Sequence, residues 1–570
     1  MRLLIEDCKY EGTVAQDFIR RLAPRNHDGK VRYVGYLYDK DVEDCVFFLP
    51  KVILDNSGKI LGKYNPIDVW KDVSEEIQHE LGDFLFTFPI WIYQAINIYN
   101  HRNPDNRIVK QQYLANADTL DGAHKPFIEN LLGLVRFANE NKNFLLFKMQ
   151  HLHGGQTNVN WPKTISHQQP YFRRGKAPIY MEPIVKKKDV DYEEELLAIY
   201  FSVLHYINKQ YGFSTDINLN FELISSTRFE DYLHGEGTRR LREIRYKYFS
   251  DRTLRIWRLC YDFFSSKDRI NASTTFEEYL LASDFDRVFE AIVDELIGQP
   301  GKTLPKHIHK AQEDGKEIDH LYVYDSLIDK NRKTYYIADS KYYKTEDQKE
   351  IGGNSLFKQY TYARNLIQED LQERIKHPND WMGFIPCRDE KTEGYNIIPN
   401  FFLSAQIDLE LSYEEPGINV RNENRSSYHF KNRLFDRETL LLQHYDINFL
   451  YVLKLYASND NGMKEKFRSD IRRRFREELL KRINDDYDFY LLDLKQKTGQ
   501  SIEQVVDSMF RLLNGKIFCP SVNDENIHLI LALSKADDCY EENVQVLSEV
   551  DKYFNRTEKG SFRLGNETTE

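Results

Sequence analysis

The chain has 570 residues, of which 41% are hydrophobic and 30% charged, with a formal net charge of −11 at pH 7. This composition is sufficient for apolar cores, and the length predicts about four domains. No apolar run approaches the roughly 18–20 residues of a membrane span, and six scattered cysteines without a CxxC pair argue against a disulfide framework or a structural zinc site.

The beginning of the chain and its overall charge set two further expectations. Acidic residues follow Met1 too soon for a signal peptide, so a cytoplasmic protein without membrane attachment is predicted. The net negative charge does not indicate nucleic-acid binding. It does not exclude it either, because local basic faces matter more than the total charge.

Apolar patterns predict strands and then helices along the first half of the chain. Residues 31–38 and 45–50 are separated by a polar stretch, which indicates a hairpin or two adjacent strands. Apolar residues at helical spacing follow in 126–148. Residues 192–211 and 239–260 are predicted as helices, and the second carries eight basic residues against two acids.

The second half of the chain contains the most informative pattern. A helix is predicted at 285–297, strands at 318–341 and a helix at 356–367. Beyond about residue 460 a further unit is predicted, with an arginine-rich helix and an apolar strand at 527–533.

The strand that ends in Asp339, Ser340 and Lys341 combines a carboxylate and an ammonium. Alternate side chains of a strand share a face, so Asp339 and Lys341 should point the same way and Ser340 the other way. An acid can bind a hard divalent cation through oxygen, and a lysine can stabilise charge that develops on a phosphate. This pair therefore suits phosphodiester cleavage, although an ordinary ion pair at a strand end remains the alternative.

Three further polar residues accompany this strand. Glu290 lies on the predicted helix before it, and Asp319 lies at the start of the strand 318–324. Gln359 lies on the helix that follows. The order helix, strand, turn, strand and helix resembles the core of PD-(D/E)xK nucleases, although Ile318 replaces the proline of the family name.

The resemblance to PD-(D/E)xK nucleases implies a role for each of these residues. Asp319 and Asp339 would bind the metal, with Glu290 as an outer carboxylate, Lys341 as the catalytic lysine and Gln359 as the contribution of the helix. Mg²⁺ is the implied ion, with Mn²⁺ as an alternative, because two carboxylates leave coordination sites for water and a phosphate oxygen.

Short segments outside this core extend the resemblance. Residues 158–165, 239–260, 285–290 and 444–457 resemble the LlaJI-type restriction endonuclease family, which is related to the McrC subunit of McrBC systems. The similarity covers about residues 30–457. It implies a nuclease subunit that cuts double-stranded DNA together with an McrB-like AAA+ GTPase ring. The chain itself has no G-x-x-x-x-G-K-[ST] loop, so GTP would be used by the partner.

These observations predict a mixed α/β, multi-domain protein whose nuclease core is a central mixed sheet flanked by helices. Four parts are expected: a β-containing N-terminal domain for partner or DNA contact, a mainly helical region with the basic helix, the nuclease domain and a C-terminal α/β extension. Their predicted boundaries are 1–165, 166–283, 284–457 and 458–570.

Several basic residues are candidates for DNA contact. The candidates on the basic helix are Arg239, Arg240, Arg245 and Arg255, and Lys358 lies on the helix after the motif. Arginine and lysine faces contact phosphates and position DNA without reading its sequence. A solvated helical face is an equally good interpretation of the basic helix.

Three histidines and two aromatic residues are further candidates for a functional role. His307, His309 and His320 lie near the predicted nuclease strands, but no cysteine joins them for a zinc site. Surface or phosphate-contact roles are therefore expected for them. Trp161 and Tyr171 are expected in a core or an interface rather than in a base-stacking platform.

The sequence thus predicts an Mg²⁺-dependent DNA endonuclease subunit of a restriction or phage-defence system that acts with an McrB-like GTPase. Two alternatives stay open. One is a stand-alone PD-(D/E)xK defence or repair nuclease. The other is a non-catalytic activator or scaffold of an NTPase ring, against which the intact set of Asp319, Asp339 and Lys341 argues.

Overall fold

A computed structural model shows a mixed α/β protein, as predicted. It describes residues 2–10, 29–39, 44–69, 75–112, 127–142, 144, 147–153, 158–172, 174, 177–191, 194–211, 215–272, 278–300, 303–305, 308, 317–329, 332–343, 353–376, 385, 387–407, 416–425, 431–458, 460–496, 499–520 and 528–565. None of the described helices is long and apolar enough to cross a membrane.

The first half of the chain contains both strands and helices. In order these are β1 (Arg2–Ile5), β2 (Val34–Asp39), β3 (Asp44–Leu49), α1 (Glu75–Arg102), β4 (Val109–Gln112), α2 (Phe127–Glu140), β5 (Phe147–His153), α3 (Trp161–His167), β6 (Ile184–Val190), α4 (Glu195–Tyr211), α5 (Ser226–Asp231), α6 (Gly237–Ile244), α7 (Asp251–Ala272) and β7 (Glu278–Ala282). One sheet has the strand order β1-β3-β2-β7-β4, so β2 and β3 are adjacent as predicted.

The second half continues with a helix and the strands of two further sheets. In order these elements are α8 (Phe285–Leu296), β8 (His320–Asp325), β9 (Lys333–Lys341), α9 (Gly353–Lys376), β10 (Pro399–Gln406), β11 (Asn419–Arg425), β12 (Leu441–Asn448), α10 (Phe449–Ala457), α11 (Asn461–Asp486), β13 (Tyr487–Leu494), α12 (Ile502–Ser508), α13 (Phe510–Leu513), β14 (Ile517–Phe518), β15 (Leu529–Ser534), α14 (Tyr540–Tyr553) and β16 (Phe554–Arg556).

The chain divides into two compact units. The smaller unit comprises residues 1–2, 36–47 and 111–280, and the larger comprises 3–35, 48–110 and 281–570. Residues near the N-terminus are therefore part of the same unit as the predicted nuclease strands. The four-part division predicted from sequence stays a prediction.

The smaller unit contains the predicted basic helix, which is two helices instead of one. Helix α6 ends at Ile244, Tyr248 is extended, and Ser250 accepts a hydrogen bond from the Thr253 amide at the start of α7. The Trp257 indole then donates a hydrogen bond to the Leu241 carbonyl at 2.6 Å. The prediction of one continuous helix was wrong because a serine cap begins a second helix, whose tryptophan satisfies a carbonyl of the first.

A two-stranded antiparallel ribbon, β5 and β6, carries the short helix α3. Asn160 caps this helix by accepting a hydrogen bond from the Lys163 amide. The fully buried Thr164 hydroxyl accepts a hydrogen bond from the Ile184 amide at 2.9 Å, at the first residue of β6. One polar side chain therefore attaches the helix to the ribbon.

The central sheet of the larger unit is mixed, with the order β11-β12-β10-β9-β8. Strands β9, β10 and β12 run parallel, while β8 pairs with β9 and β11 with β12 in antiparallel register. Helix α9 connects the parallel neighbours β9 and β10, as a parallel connection requires a crossover.

The two faces of this sheet are covered by different helices. On one face Tyr335 and Ile337 of β9 share an apolar cluster with Tyr362 and Leu366 of α9. On the other face are tyrosines and a phenylalanine of four successive strands, against which Phe475 of α11 packs; they are Tyr322, Tyr336, Phe401 and Tyr445. The sheet is thus buried on both sides, which explains its continuous apolar strands.

The C-terminal part of the larger unit forms a second sheet, of order β14-β15-β13-β16. A loop before β10 contacts this part through Asp389, which accepts hydrogen bonds from the Lys391, Thr392 and Cys519 amides. Gly394 of the same loop lies so close that an added Cβ would be 2.4 Å from the Ile517 carbonyl oxygen. The central sheet and the C-terminal sheet are therefore joined by close backbone packing.

Candidate active site

The end of β9 presents Asp339 and Lys341 on one face of the sheet, as predicted. Their positions alternate with Tyr336, Ala338 and Ser340, so they share the α9 face. The Lys341 ammonium donates hydrogen bonds to both carboxylate oxygens of Asp339 at 2.6 Å. It also lies 5.2 Å from the centre of the buried Phe402 ring. Both charges are largely shielded from water, since the side chains are 13% and 8% exposed.

Asp319 and Glu290 are brought to the same place from other elements. Asp319 directly precedes β8, and one of its oxygens accepts a hydrogen bond from the Ser340 amide at 3.3 Å. Its side chain is also hydrogen-bonded to Asp339. Glu290 of α8 interacts electrostatically with Asp339 and Lys341. Four of the five predicted catalytic residues therefore line one cavity of about 670 Å³.

Two acidic groups of this cavity, Glu290 and Asp319, hold protons more strongly than free carboxyls do. Burial raises the pKa of Glu290 to about 7, and the charges of Asp286 and Asp339 contribute. Burial also raises the pKa of Asp319, and the neighbouring Asp339 and Glu290 raise it further. Clustered carboxylates destabilise each other's charged forms. The group therefore has more negative charge than Lys341 alone neutralises.

A buried network lies behind the sheet face that carries Asp339 and Lys341. His320, the residue after Asp319, is fully buried, and its Nε2 lies 2.5 Å from the Ser340 hydroxyl. Its Nδ1 lies 3.5 Å from a carboxylate oxygen of Asp294 on α8. The expectation of a surface or phosphate-contact role for His320 was wrong, because the ring is enclosed between β8, β9 and α8. Its bonds fix Ser340, the residue between Asp339 and Lys341.

The N-terminal segment of the larger unit forms another wall of the cavity. Glu6, Asp7, Arg32 and Lys51 line it. The Tyr342 hydroxyl donates a hydrogen bond to Glu6 at 2.6 Å, and Glu6 also accepts one from the Lys51 amide. Sequence reasoning missed these residues, and no local pattern marks them, because they lie about 300 positions from the motif.

Helix α9 contributes differently from the prediction. Gln359 is fully buried, on the same helical face as Leu356 and Ala363, and it does not line the cavity. Neither its amide nitrogen nor its oxygen has a hydrogen-bond partner among the described residues. Lys358 and Tyr362 of this helix line the cavity instead. Lys358 is exposed, which leaves it accessible to a ligand.

The oxygen ligands that this cavity offers are of the kind that a hard divalent cation prefers. Asp319, Asp339 and Glu290 are all carboxylates, and the pKa values of Asp319 and Glu290 are raised by burial and then by neighbouring negative charges. The described residues nevertheless contain no three His, Cys, Asp or Glu side chains arranged to hold a metal as they stand. The Lys341 ammonium donates hydrogen bonds to both Asp339 oxygens. It therefore lies where a metal ion bound to that carboxylate would lie.

The arginines predicted to contact DNA are mostly paired within the protein. Arg240 bonds Glu195 at 2.5 Å, and Arg255 lies 3.6 Å from Glu140. Arg239 is 73% exposed, and its guanidinium lies 4.0 Å from the carboxylates of both Glu236 and Glu243. Arg239 is therefore the member of the set with the most accessible charge.

The structure places some of the remaining candidate residues, namely Arg245 and two aromatic residues, but not all of them. The Arg245 guanidinium lies over the Trp257 ring at 5.2 Å and donates to the Tyr248 carbonyl, so it has a packing role. His307 and His309 lie outside the described residues. Trp161 and Tyr171 are 54% and 71% exposed, which excludes the core and leaves an interface of the two predicted locations.

The fold and this cavity define a mixed α/β protein with an acid-and-lysine site at the end of two antiparallel strands. Residues 139–409 match the family model of the LlaJI restriction endonuclease, which confirms the predicted resemblance over this segment. The match contains all five predicted catalytic residues, and it ends before residues 444–457. The family indicates a restriction nuclease that acts on DNA. No curated protein and no solved structure gives a significant match.

Proposed function

We propose that this chain is the Mg²⁺-dependent endonuclease subunit of a restriction or phage-defence system, with a PD-(D/E)xK site. The observation that carries the proposal is the convergence of Asp319, Asp339 and Lys341 on one sheet face, inside a cavity that Glu290 also lines. The mixed sheet, with α8 before it and α9 between its parallel strands, supports the same assignment.

The charges of the cavity support a requirement for a divalent cation. Among the described residues, seven with carboxylates and four basic ones line it. A DNA phosphate would be repelled by this excess of negative charge unless a cation neutralised it. Asp319, Asp339 and Glu290 would hold Mg²⁺. When bound, the ion lowers the pKa of a coordinated water and neutralises charge on the phosphate.

The protein side chains then have separate tasks. Lys341 orients the attacking water and stabilises charge that develops on the phosphate, since its compact ammonium is held over Phe402 at the cavity wall. Arg32, Lys51 and Lys358 provide positive charge around the carboxylates for adjacent phosphates. The buried His320 and Ser340 hold the strand end in position.

The proposal includes an McrB-like AAA+ GTPase partner. The resemblance of the LlaJI-type family to McrC subunits supports this part. The test is cleavage of plasmid DNA by the purified chain with Mg²⁺, with and without that GTPase and GTP. We expect cleavage only with both. Cleavage that needs neither would assign a stand-alone nuclease, and GTPase activation without any cleavage would assign a scaffold.

Matched variants make this test specific to the site. Lys341→Ala and Asp339→Asn should abolish cutting. Lys333→Ala and Asp325→Asn should not, because these residues form a more exposed ion pair at the opposite end of the same two strands. Undiminished Mg²⁺-dependent cutting by Lys341→Ala would overturn the assignment of the site.

A further inference from the structure

We propose that the ribbon module, defined here as residues 147–190, is a DNA-binding surface separate from the cleavage site. The module consists of β5, α3, β6 and the segment between α3 and β6. The inference rests on the proposed function only in taking DNA as the ligand. It was not expected from the sequence, where Trp161 and Tyr171 were predicted to lie in a core or an interface.

The first observation is a concentration of exposed apolar side chains. Eighteen large apolar side chains among the described residues are exposed, and six of them lie between residues 161 and 181. These six are Trp161, Ile165, Tyr171, Phe172, Ile179 and Met181. Tyr171 and Phe172 are 71% and 74% exposed, and monomeric proteins rarely leave such a group uncovered without an interaction partner.

The second observation is charge. The module has eight lysines and arginines against two acids, a formal charge of +6, in a chain whose net charge is −11. Lys163, Arg174 and Lys186 make no ion pair with any residue that the structure describes. Their charge is therefore not neutralised locally, in contrast to that of Arg240 or Arg255.

The third observation is shape. Strands β5 and β6 pair without interruption from Phe147 opposite Val190 to His153 opposite Ile184. Lys186 and Lys187 are exposed at successive positions of β6, so alternation places them on opposite faces of the ribbon. A two-stranded ribbon has the width that the major groove of DNA admits.

The combination favours DNA over a protein partner. Protein–protein interfaces are enriched in aromatic residues and arginine but depleted in lysine. Six of the eight basic residues of the module are lysines. Lysines beside exposed aromatic rings instead suit nucleic acid, where the cations contact phosphates and the rings stack on bases.

The test is DNA binding by the full chain in a Lys341→Ala background, measured by fluorescence anisotropy without cleavage. The Lys163→Glu/Lys186→Glu variant should weaken duplex binding at least tenfold. It should also reduce the slope of log affinity against log salt by about two, since each lost phosphate contact contributes about 0.9. Trp161→Ala/Phe172→Ala should weaken binding about tenfold, more for a single strand than for a duplex.

Controls come from exposed residues of the same unit. Lys209→Glu and Leu219→Ala should bind DNA as the parent does, because both side chains are exposed outside the module. Affinities of the module variants within twofold of these controls would overturn the proposal. Unchanged DNA binding combined with lost activation of the GTPase would also overturn it, by assigning the surface to the protein partner.

Failure of this inference is distinguishable from failure of the proposed nuclease function. Binding is measured without Mg²⁺, so a module that binds DNA stands even if Lys341→Ala still cleaves when the ion is present. A module that does not bind leaves the assignment of Asp339 and Lys341 intact.

Discussion

The Lys341 ammonium donates hydrogen bonds to both oxygens of the Asp339 carboxylate, which also interacts with the Asp319 carboxyl. One lysine therefore balances a group of three acids. These acids suit the site to a cation. Their charged forms also destabilise the folded state, since the raised pKa values of Glu290 and Asp319 reflect burial and repulsion. Variants of the site and of buried groups elsewhere separate these two consequences.

Replacing Lys341 by alanine should lower the cleavage rate at least about 100-fold, because a preorganised charge at the reacting phosphate is lost. DNA affinity should change much less, since most phosphate contacts remain. Initial rates of plasmid cleavage and anisotropy titrations measure the two effects. Lys333→Ala is the control on the same strand, and a parallel loss of rate in that variant would indicate general damage to the sheet instead.

Ser340→Ala should reveal the positioning role of the buried network. The change leaves the His320 Nε2 without its partner, which should cost about 1–3 kcal/mol of stability. Cleavage should fall about tenfold in kcat with KM unchanged, and Ser340→Thr, which keeps the hydroxyl, should restore most of it. Thr334→Val removes a buried hydroxyl that bonds the Ile397 carbonyl at the opposite end of β9. It should lower stability without lowering kcat, and an equal kcat loss there would refute the role of Ser340.

Glu278 should make the smaller unit less stable as the pH rises. This fully buried residue accepts hydrogen bonds from the Phe127 amide at 2.9 Å and the Tyr36 hydroxyl at 3.3 Å, and burial raises its pKa from 4.5 to about 7. Between these values the folded state keeps a proton that the unfolded state has released. Stability is therefore present at low pH and is lost as the pH rises toward 7, by about 3 kcal/mol at most.

Denaturant unfolding of wild type and Glu278→Gln between pH 5 and 8 measures this effect. The wild type should lose about 2–3 kcal/mol more than the variant across the range. Glu230→Gln, an exposed residue of α5, should keep the wild-type slope. An identical slope for Glu278→Gln would show that the buried carboxyl does not titrate as its surroundings require.

Asp389→Ala should destabilise the larger unit by about 3–5 kcal/mol. The side chain is 3% exposed and accepts hydrogen bonds from three backbone amides and the Thr392 hydroxyl, all of which would lose a partner in a buried place. Urea unfolding measures the loss, and the exposed Asp537→Ala should stay within about 0.5 kcal/mol of wild type. A small effect of Asp389→Ala would mean that water replaces the carboxylate.

The sequence predicted the acid-and-lysine arrangement of β9 because the pattern that produces it is local. Alternation along β9 correctly placed Asp339 and Lys341 together, and the short turn before β9 correctly brought Asp319 beside them. The family match now supports the same segment. Gln359 illustrates the limit of this reasoning, since helical spacing gives its face but not whether that face meets the cavity or the core.

Long-range and capping contacts could not be predicted in the same way. Nothing in the sequence near residues 6–51 indicates a wall of the cavity, because pairing across about 300 positions is set by the whole fold. The break between helices α6 and α7 at 245–250 had a local signal, because Ser250 followed by Asp251 is typical of a helix start. The basic residues at helical spacing on both sides concealed this signal.

The hydrogen bond between Glu6 and Tyr342 joins residues 336 positions apart. During synthesis the ribosome releases Glu6 long before the catalytic strand exists, and the partner strand β10 appears later still. The residues that line the cavity run from Glu6 to Tyr362, so the cavity can be complete only after residue 362 has been made. A nascent chain thus has the N-terminal wall of the cavity before it has the carboxylates, and a chain truncated before Tyr362 cannot form the whole site.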